Sequence, residues 1–425
     1  MPTQTDARVL IVGAGLAGLC CARTLLDAGA SCLVLEATDG VGGRVRTDTV
    51  AGFQLDRGFQ ILLTAYPEAQ AVLDYDALAL ARFVPGALVR YRGRFHRVAD
   101  PWRVPGAALG SLFGPIGTLR DKLRVLALRH ALGSLTVDAL LQRPETTTRA
   151  ALRDWGFSDT IVARFFRPLF GGICLDLTLE TSSRMFEFVF QMLARGDSAI
   201  PARGIGSIPQ QIASRLAADS VRLGARVVTT TPDGVGLQSG ERLAARAVVI
   251  ATEGPEAARL TGTLPAPRSR AQTVLYFDMP HPPIDGPWLV LDGEGRGPVT
   301  NFCVPSLVTP SYAPAGRHLG AAVIIGDPPM DDTSLERDVR AQLRVWFGAA
   351  VDAWRHLRTY RVLHAQPAQP AGALAPAARP VRLSSGLFVC GDHRDTASIH
   401  GAMLSGRRAG EAVLEELGKP RDLRR

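Results

Sequence analysis

The chain has 425 residues, 46% hydrophobic and 21% charged, with a formal net charge of +8. At roughly 150 residues per domain, that length predicts two or three domains with substantial cores. No uninterrupted apolar run of ~18 residues occurs, which argues against a membrane-spanning helix, and residues 1–7 lack the charged and apolar regions of a signal peptide.

Residues 8–12 (RVLIV) are short, apolar and rich in β-branched side chains, as expected of a buried parallel strand. The turn Gly13-Ala14-Gly15-Leu16-Ala17-Gly18 follows at once. A helix is expected over 16–28, stopped by Gly29, then a second strand over 31–36 that ends in Glu36 ahead of Ala37. From about 75 to 200 the pattern is mainly helical and includes a helix of mixed apolar and basic residues over 118–132. The loop Pro201–Gly206 leads into an expected helix over 207–223. Short strands are expected near 225–230 and 246–251, with a polar turn at 238–242 between them. Residues 272–326 alternate apolar runs with Pro and Gly turns, which suggests an antiparallel sheet. A helix over 334–350, a Pro/Ala-rich connection over 366–380, a strand over 386–391 and a helix over 400–417 complete the chain.

The glycine turn carries specific chemistry. Gly13 allows the tight turn, Gly15 lets a pyrophosphate approach the backbone, and Gly18 lets helix and strand pack closely. The free N–H groups and positive end of the helix, beginning at Leu16 and Ala17, then face the phosphates. Glu36, 18 residues beyond Gly18, can accept hydrogen bonds from a ribose hydroxyl. An acid at that place argues against NADP but does not separate NAD from FAD.

Three further segments make that separation by resemblance. Gly40 to Thr47 (GVGGRVRT) resembles the paired-glycine signature of FAD enzymes related to amine oxidases and phytoene desaturases. In it Gly42 and Gly43 permit close backbone approach and Arg44 can balance phosphate charge. Phe53 to Gln60 resembles the segment that runs beside the flavin ring in that superfamily, which also includes the protoporphyrinogen oxidases, and the resemblance places Gly58, Phe59 and Gln60 there. Val389 to His393, with Ser398 to Gly406, resembles its C-terminal FAD motif. There Gly391 and Asp392 would serve the ribityl or pyrophosphate region. The helix start at Ser398, Ile399, His400 and Ala402 would point its positive end at the flavin. Pro201–Pro209 and the strand ending Ala251-Thr252 match the same superfamily, and Val228 falls where it contacts adenine through the backbone. The implied fold is α/β: a Rossmann-like FAD-binding domain with a mixed sheet (1–75, 200–265, 366–425), interleaved with an α+β substrate domain (76–199, 266–365).

The resemblance says less about the substrate. Many amine oxidases of the superfamily use a lysine near the flavin and an aromatic cage. The matching stretch here, Ser398 to Ala402, has no aromatic, and the only lysines, Lys122 and Lys419, lie elsewhere. The stretch resembles carotenoid-type desaturases more closely, which implies oxidation of a small lipophilic substrate by hydride transfer. Two alternatives stand beside it: an amine oxidase that releases hydrogen peroxide, and a flavin-containing lipid-binding or scaffold protein without turnover. Phe165–Gly172 and Phe186–Met192 are either tunnel wall or plain core. His400 is either an acid, base or hydrogen-bonding partner at the flavin or a structural residue, and His393 is expected at the surface or as a cap. The helix over 118–132, with Arg120, Lys122, Arg124, Arg129 and His130, is either a solvated face or a surface for anionic membrane. No nucleic-acid module is visible. The six cysteines form no C-x-x-C pair and no zinc spacing, so no metal is expected and a reduced, cytoplasmic setting fits.

Overall fold

The structure is a computed structural model that describes residues 8–100, 103–104 and 114–418. It is a mixed α/β protein. Val9–Val12, Cys32–Leu35 and Ala247–Ile250 are buried on both faces, and the runs VLIV, CLVL and AVVI are correspondingly apolar at every position. They form the middle of a six-stranded sheet in the order Val221–Arg222, Cys32–Leu35, Val9–Val12, Ala247–Ile250, Leu387–Val389, Arg382–Ser384. The first five strands are parallel and the last is antiparallel. All six come from residues 9–35, 221–250 and 382–389.

The two faces of this sheet are covered differently. Alternate side chains Val9, Ile11, Val34 and Val249 pack against the first helix (Leu16–Asp27) and the closing helix (Ile399–Glu416). Leu10, Val12, Leu33, Leu35, Val248 and Ile250 point the other way, onto a three-stranded antiparallel sheet of Val227–Thr231, Gly234–Leu237 and Arg242–Ala244. Here the structure adds detail to the reading: the residues flanking the polar turn at 238–242 are themselves paired strands.

A second sheet of seven strands runs Arg355–Pro367, Ser269–Met279, His318–Ile325, Asn301–Cys303, Leu289–Asp292, Gly86–Tyr91, Arg94–Ala99. Its pairs are antiparallel apart from Leu289–Asp292 beside Gly86–Tyr91. The helix Asp332–Phe347 lays Leu335, Val339, Leu343 and Trp346 on one face, against Leu275, Phe277 and Phe302. Helices at Leu119–Gly133, Arg167–Cys174 and Ser183–Arg195 send Leu128, Leu132, Phe170, Phe186 and Phe188 into the same core as the first and closing helices.

Three expectations are corrected. The helix expected over 207–223 ends at Ala213, and Val221–Arg222 is instead an edge strand. Val34 donates its N–H to the carbonyl of Ser220, so sheet pairing captures this segment. The region from 75 to 200 also contains the hairpin Gly86–Tyr91/Arg94–Ala99. Its two-residue turn, Arg92-Gly93, has both φ angles positive (49° and 74°), the conformation that suits the twist of a tight hairpin. Finally, the first two residues of the connection expected over 366–380 belong to the strand that ends at Pro367.

Candidate cofactor and active site

The first strand ends where three glycine-containing turns meet. Gly13 has φ of +106°, and a side chain there would lie 3.0 Å from the Ala251 carbonyl oxygen. Gly18 is closer still: an added Cβ would be 2.0 Å from the Gly13 oxygen. Gly15 is different, because an added Cβ would meet no protein atom within 4 Å. The second glycine segment runs beside its backbone. Gly42 donates to the Ala14 carbonyl at 2.8 Å, and Gly43 (φ +58°) sits with its Cβ position 3.5 Å from the Gly15 Cα. Two bare backbones thus line a cleft at the start of the first helix, which has neither a side-chain cap nor an acid in its first turn. Leu16 and Ala17 are its first residues, and such a helix start is an anion site.

Glu36 is buried. Its carboxylate accepts the Ala14 N–H at 2.8 Å, the Thr38 N–H at 2.9 Å and the Thr38 hydroxyl at 2.7 Å. The acid expected to meet the ribose also holds the phosphate turn, and Ala37 is the link between Glu36 and Thr38. Val228 lies at an irregularity between Val227 and Thr229, where the ladder skips a residue; its carbonyl accepts from Arg259 at 3.3 Å. Thr252, beyond Ala251, has a buried hydroxyl with no partner among the described residues.

Arg44 and Asp392, from opposite ends of the chain, form an ion pair at 2.8 Å, and Arg44 also donates to the Ala365 carbonyl at 2.7 Å. Burial works against the guanidinium charge, but Asp392 more than offsets it and holds the pKa above its ordinary value. Gly391 has φ of +142°, and its backbone is bracketed by the Ser405 hydroxyl. Ser398 caps the closing helix by accepting from Gly401 at 3.0 Å. Ile399 and Ala402 are half-buried in its first turn.

The segment Gly58-Phe59-Gln60 is fastened from two sides. Gln60 donates to the carbonyls of Arg44 (2.8 Å) and Arg57 (3.2 Å). Phe59 donates its N–H to the side chain of Gln272 at 2.7 Å, and Gly58 (φ +92°) leaves room for that side chain. Gln272 carries no local motif; nothing near it in sequence points to this contact. An open cavity of about 300 Å³ borders the cradle, with Gly43, Arg44, Arg57, Glu253 and Tyr360 in its wall.

His400 lies with its ring 5.8 Å from Tyr66 and 5.5 Å from Phe188, and Nδ1 accepts the Glu68 N–H at 3.3 Å. Burial pushes its pKa down to about 4, so the ring is neutral at pH 7. His393 is a correction: expected at the surface or as a cap, it is 6% exposed, and burial lowers its pKa to about 4 as well. Its neighbour Gly391 has no side chain to crowd the ring; a Cβ would lie 2.6 Å from it. Phe166, Phe170, Phe186 and Phe188 are fully buried core, whereas Phe165, Leu169 and Ile173 are half-buried. Among the described residues no cluster could hold a metal ion, and no helix is long and apolar enough to cross a membrane. Lys122 lies on the Leu119–Gly133 helix; Lys419 and residues 1–7 fall outside the described residues.

The bare cleft, the uncapped helix start, the buried acid and the unpartnered Thr252 hydroxyl fit a dinucleotide. The family described as flavin-containing amine oxidoreductase matches residues 16–414. The chain belongs to that family. FAD is its cofactor. Among relatives, phytoene dehydrogenase of Streptomyces griseus is 27% identical over 376 residues, covering 73% of this chain and 71% of that protein. Putrescine oxidase of Kocuria rosea is 46% identical over 72 residues, which is 17% of this chain and only 15% of that one. The crystal structure of a protein described as a protoporphyrinogen oxidase, from an Exiguobacterium species, shares the fold with TM-score 0.75 at 18% identity, covering 98% of this chain and all of that one.

Proposed function

We propose that this flavoprotein oxidises a lipophilic molecule of the carotenoid or isoprenoid kind, introducing a C–C double bond. Bound FAD would supply the two-electron acceptor for the hydride, and the proton lost from the adjacent carbon would leave to solvent. Gly15, Leu16, Ala17, Gly42 and Gly43 would hold its phosphates, with Gly13 and Gly18 shaping the turn that brings them together. Glu36, Ala37, Val228, Ala251 and Thr252 serve the adenosine half, and Arg44, Gly391 and Asp392 serve the middle. Gly58, Phe59, Gln60, Ser398, Ile399, His400 and Ala402 border the flavin.

The observation that carries the reading is the start of the closing helix. Ser398 to Ala402, the stretch that resembles the place of an aromatic in many amine oxidases, has none, and the one described lysine lies on the Leu119–Gly133 helix. The protein's part is then to orient an apolar substrate and exclude water, with half-buried Phe165, Leu169 and Ile173 as wall. His400, neutral, stacked on Tyr66 and tilted against Phe188, holds the helix start against Tyr66 and Glu68 rather than exchanging protons.

Anaerobic mixing of the holoprotein with polyenes and with amines tests this. Bleaching of the flavin by a polyene and not by amines is expected. Bleaching by an amine alone overturns the proposal in favour of the second reading, amine oxidation, which the local similarity to putrescine oxidase favours.

A further inference from the structure

We infer that the helix Leu119–Gly133 docks the protein on the surface of an anionic lipid bilayer. This helix is amphipathic in an unusual sense. Its inward side is formed by Asp121, Leu128 and Leu132, all fully buried. Its outward side is not polar. Leu119 is 60% exposed and Leu123 58% exposed, one turn apart, and Leu126, Ala127 and His130 continue the same stripe. Of the large hydrophobic side chains exposed among the described residues, these two alone share a helix face one turn apart.

Charge selects the occupant. At 100° per residue Arg120 borders the stripe on one side and Lys122 on the other, with Arg124 beyond Arg120. The helix contains one acid, Asp121, and its carboxylate is consumed inside: it accepts from Thr118 (N–H and hydroxyl, 2.7 Å each) and from Ser158 (N–H 2.8 Å, hydroxyl 2.7 Å). No carboxylate of the helix is presented outward to oppose an anionic partner. An apolar stripe flanked by cations on a helix roughly 22 Å long matches the interface of a bilayer: leucines enter the acyl boundary while basic groups stay among the headgroups. A neutral bilayer offers the stripe no charge to meet, and an acidic protein surface offers the leucines no apolar phase.

Full-length holoprotein is sedimented with vesicles of phosphatidylglycerol or of phosphatidylcholine. Binding to the first and at least tenfold weaker binding to the second are expected, and high salt should release the bound protein. The double variant Leu119→Asp/Leu123→Asp, whose side chains face solvent, should keep its flavin colour and thermal melt but lose at least tenfold in vesicle binding. Arg120→Glu should lose less. Wild-type protein left in the supernatant with phosphatidylglycerol, or equal binding by the double variant, overturns the inference. So does a double variant that changes only the oligomeric state in ultracentrifugation, which would make the face a contact between copies of the chain.

Discussion

Gly15 and Gly18 stand three residues apart and answer to different constraints. A Cβ on Gly18 collides with the Gly13 carbonyl, so Gly18 is a folding residue. A Cβ on Gly15 meets nothing of the protein within 4 Å, and its φ of −72° suits any residue. Gly15→Val is therefore expected to give folded but colourless protein, with the apoprotein melting near the wild-type apoprotein temperature. Retained flavin would contradict the cradle; loss of folding would contradict the open space. Glu36→Ala removes the acceptor from Ala14 and Thr38 at once. Each hydrogen bond to a charged group is worth about 1.5–3 kcal/mol, and the Ala14 N–H is left without its acceptor. FAD affinity should fall at least tenfold, measured by flavin fluorescence on titration of apoprotein.

At the scale of elements, the contact that matters is between the first and closing helices. A Cβ on Gly406 would lie 2.1 Å from the Ala17 carbonyl oxygen, and one on Gly410 would lie 2.8 Å from the Thr24 Cβ. Backbone cannot yield as a side-chain tip can, so Gly406→Ala should cost about 3 kcal/mol, the upper end for overpacking, and lower flavin occupancy because the helix it displaces opens the cleft. Urea unfolding of the holoprotein measures the first and absorbance the second. Elements whose signal is local were legible in the sequence: the first strand, turn and helix, the second strand to Glu36, and the closing helix. The hairpin at Gly86–Ala99 was not, because Gly86–Tyr91 is apolar without alternation and lies in a stretch of mainly helical pattern. Val221–Arg222 was not, because two residues carry no periodicity and become strand only beside Cys32–Leu35. Gln272 was invisible for a related reason: its partner Phe59 is 213 positions away.

For the whole molecule, acid stability depends on buried groups of opposite sign. His393 and His400 have pKa values lowered to about 4, so their contribution is complete above 6.5 and is lost as pH falls through 4. Asp56 and Asp395 have theirs raised to about 6 by burial, so their contribution is complete below 3.8 and is lost as pH rises through 6. Each shift is worth up to about 3 kcal/mol. The two pairs oppose each other in the same window, and the melting temperature of the wild type should change little between pH 6.5 and 4 on their account. Asp56→Asn keeps an acceptor for Thr47 and presents an N–H2 whose hydrogen the Tyr312 hydroxyl can accept, but removes one raised carboxyl, so its melting temperature should fall more steeply toward pH 4. Parallel curves for variant and wild type would refute this balance.

The central sheet also orders events in time. Val9–Val12 can pair with Cys32–Leu35 early, but its other neighbour is Ala247–Ile250, and that strand's outer neighbour is Leu387–Val389. The first helix waits longer still, for the closing helix at Ile399–Glu416 that covers it. On a ribosome, the glycine turn is made long before the strands and the helix that complete it. Flavin can lodge only after the closing helix has emerged, so yellow colour reports synthesis past that helix, and a nascent chain stalled before residue 387 exposes an apolar helix that chaperones must shield.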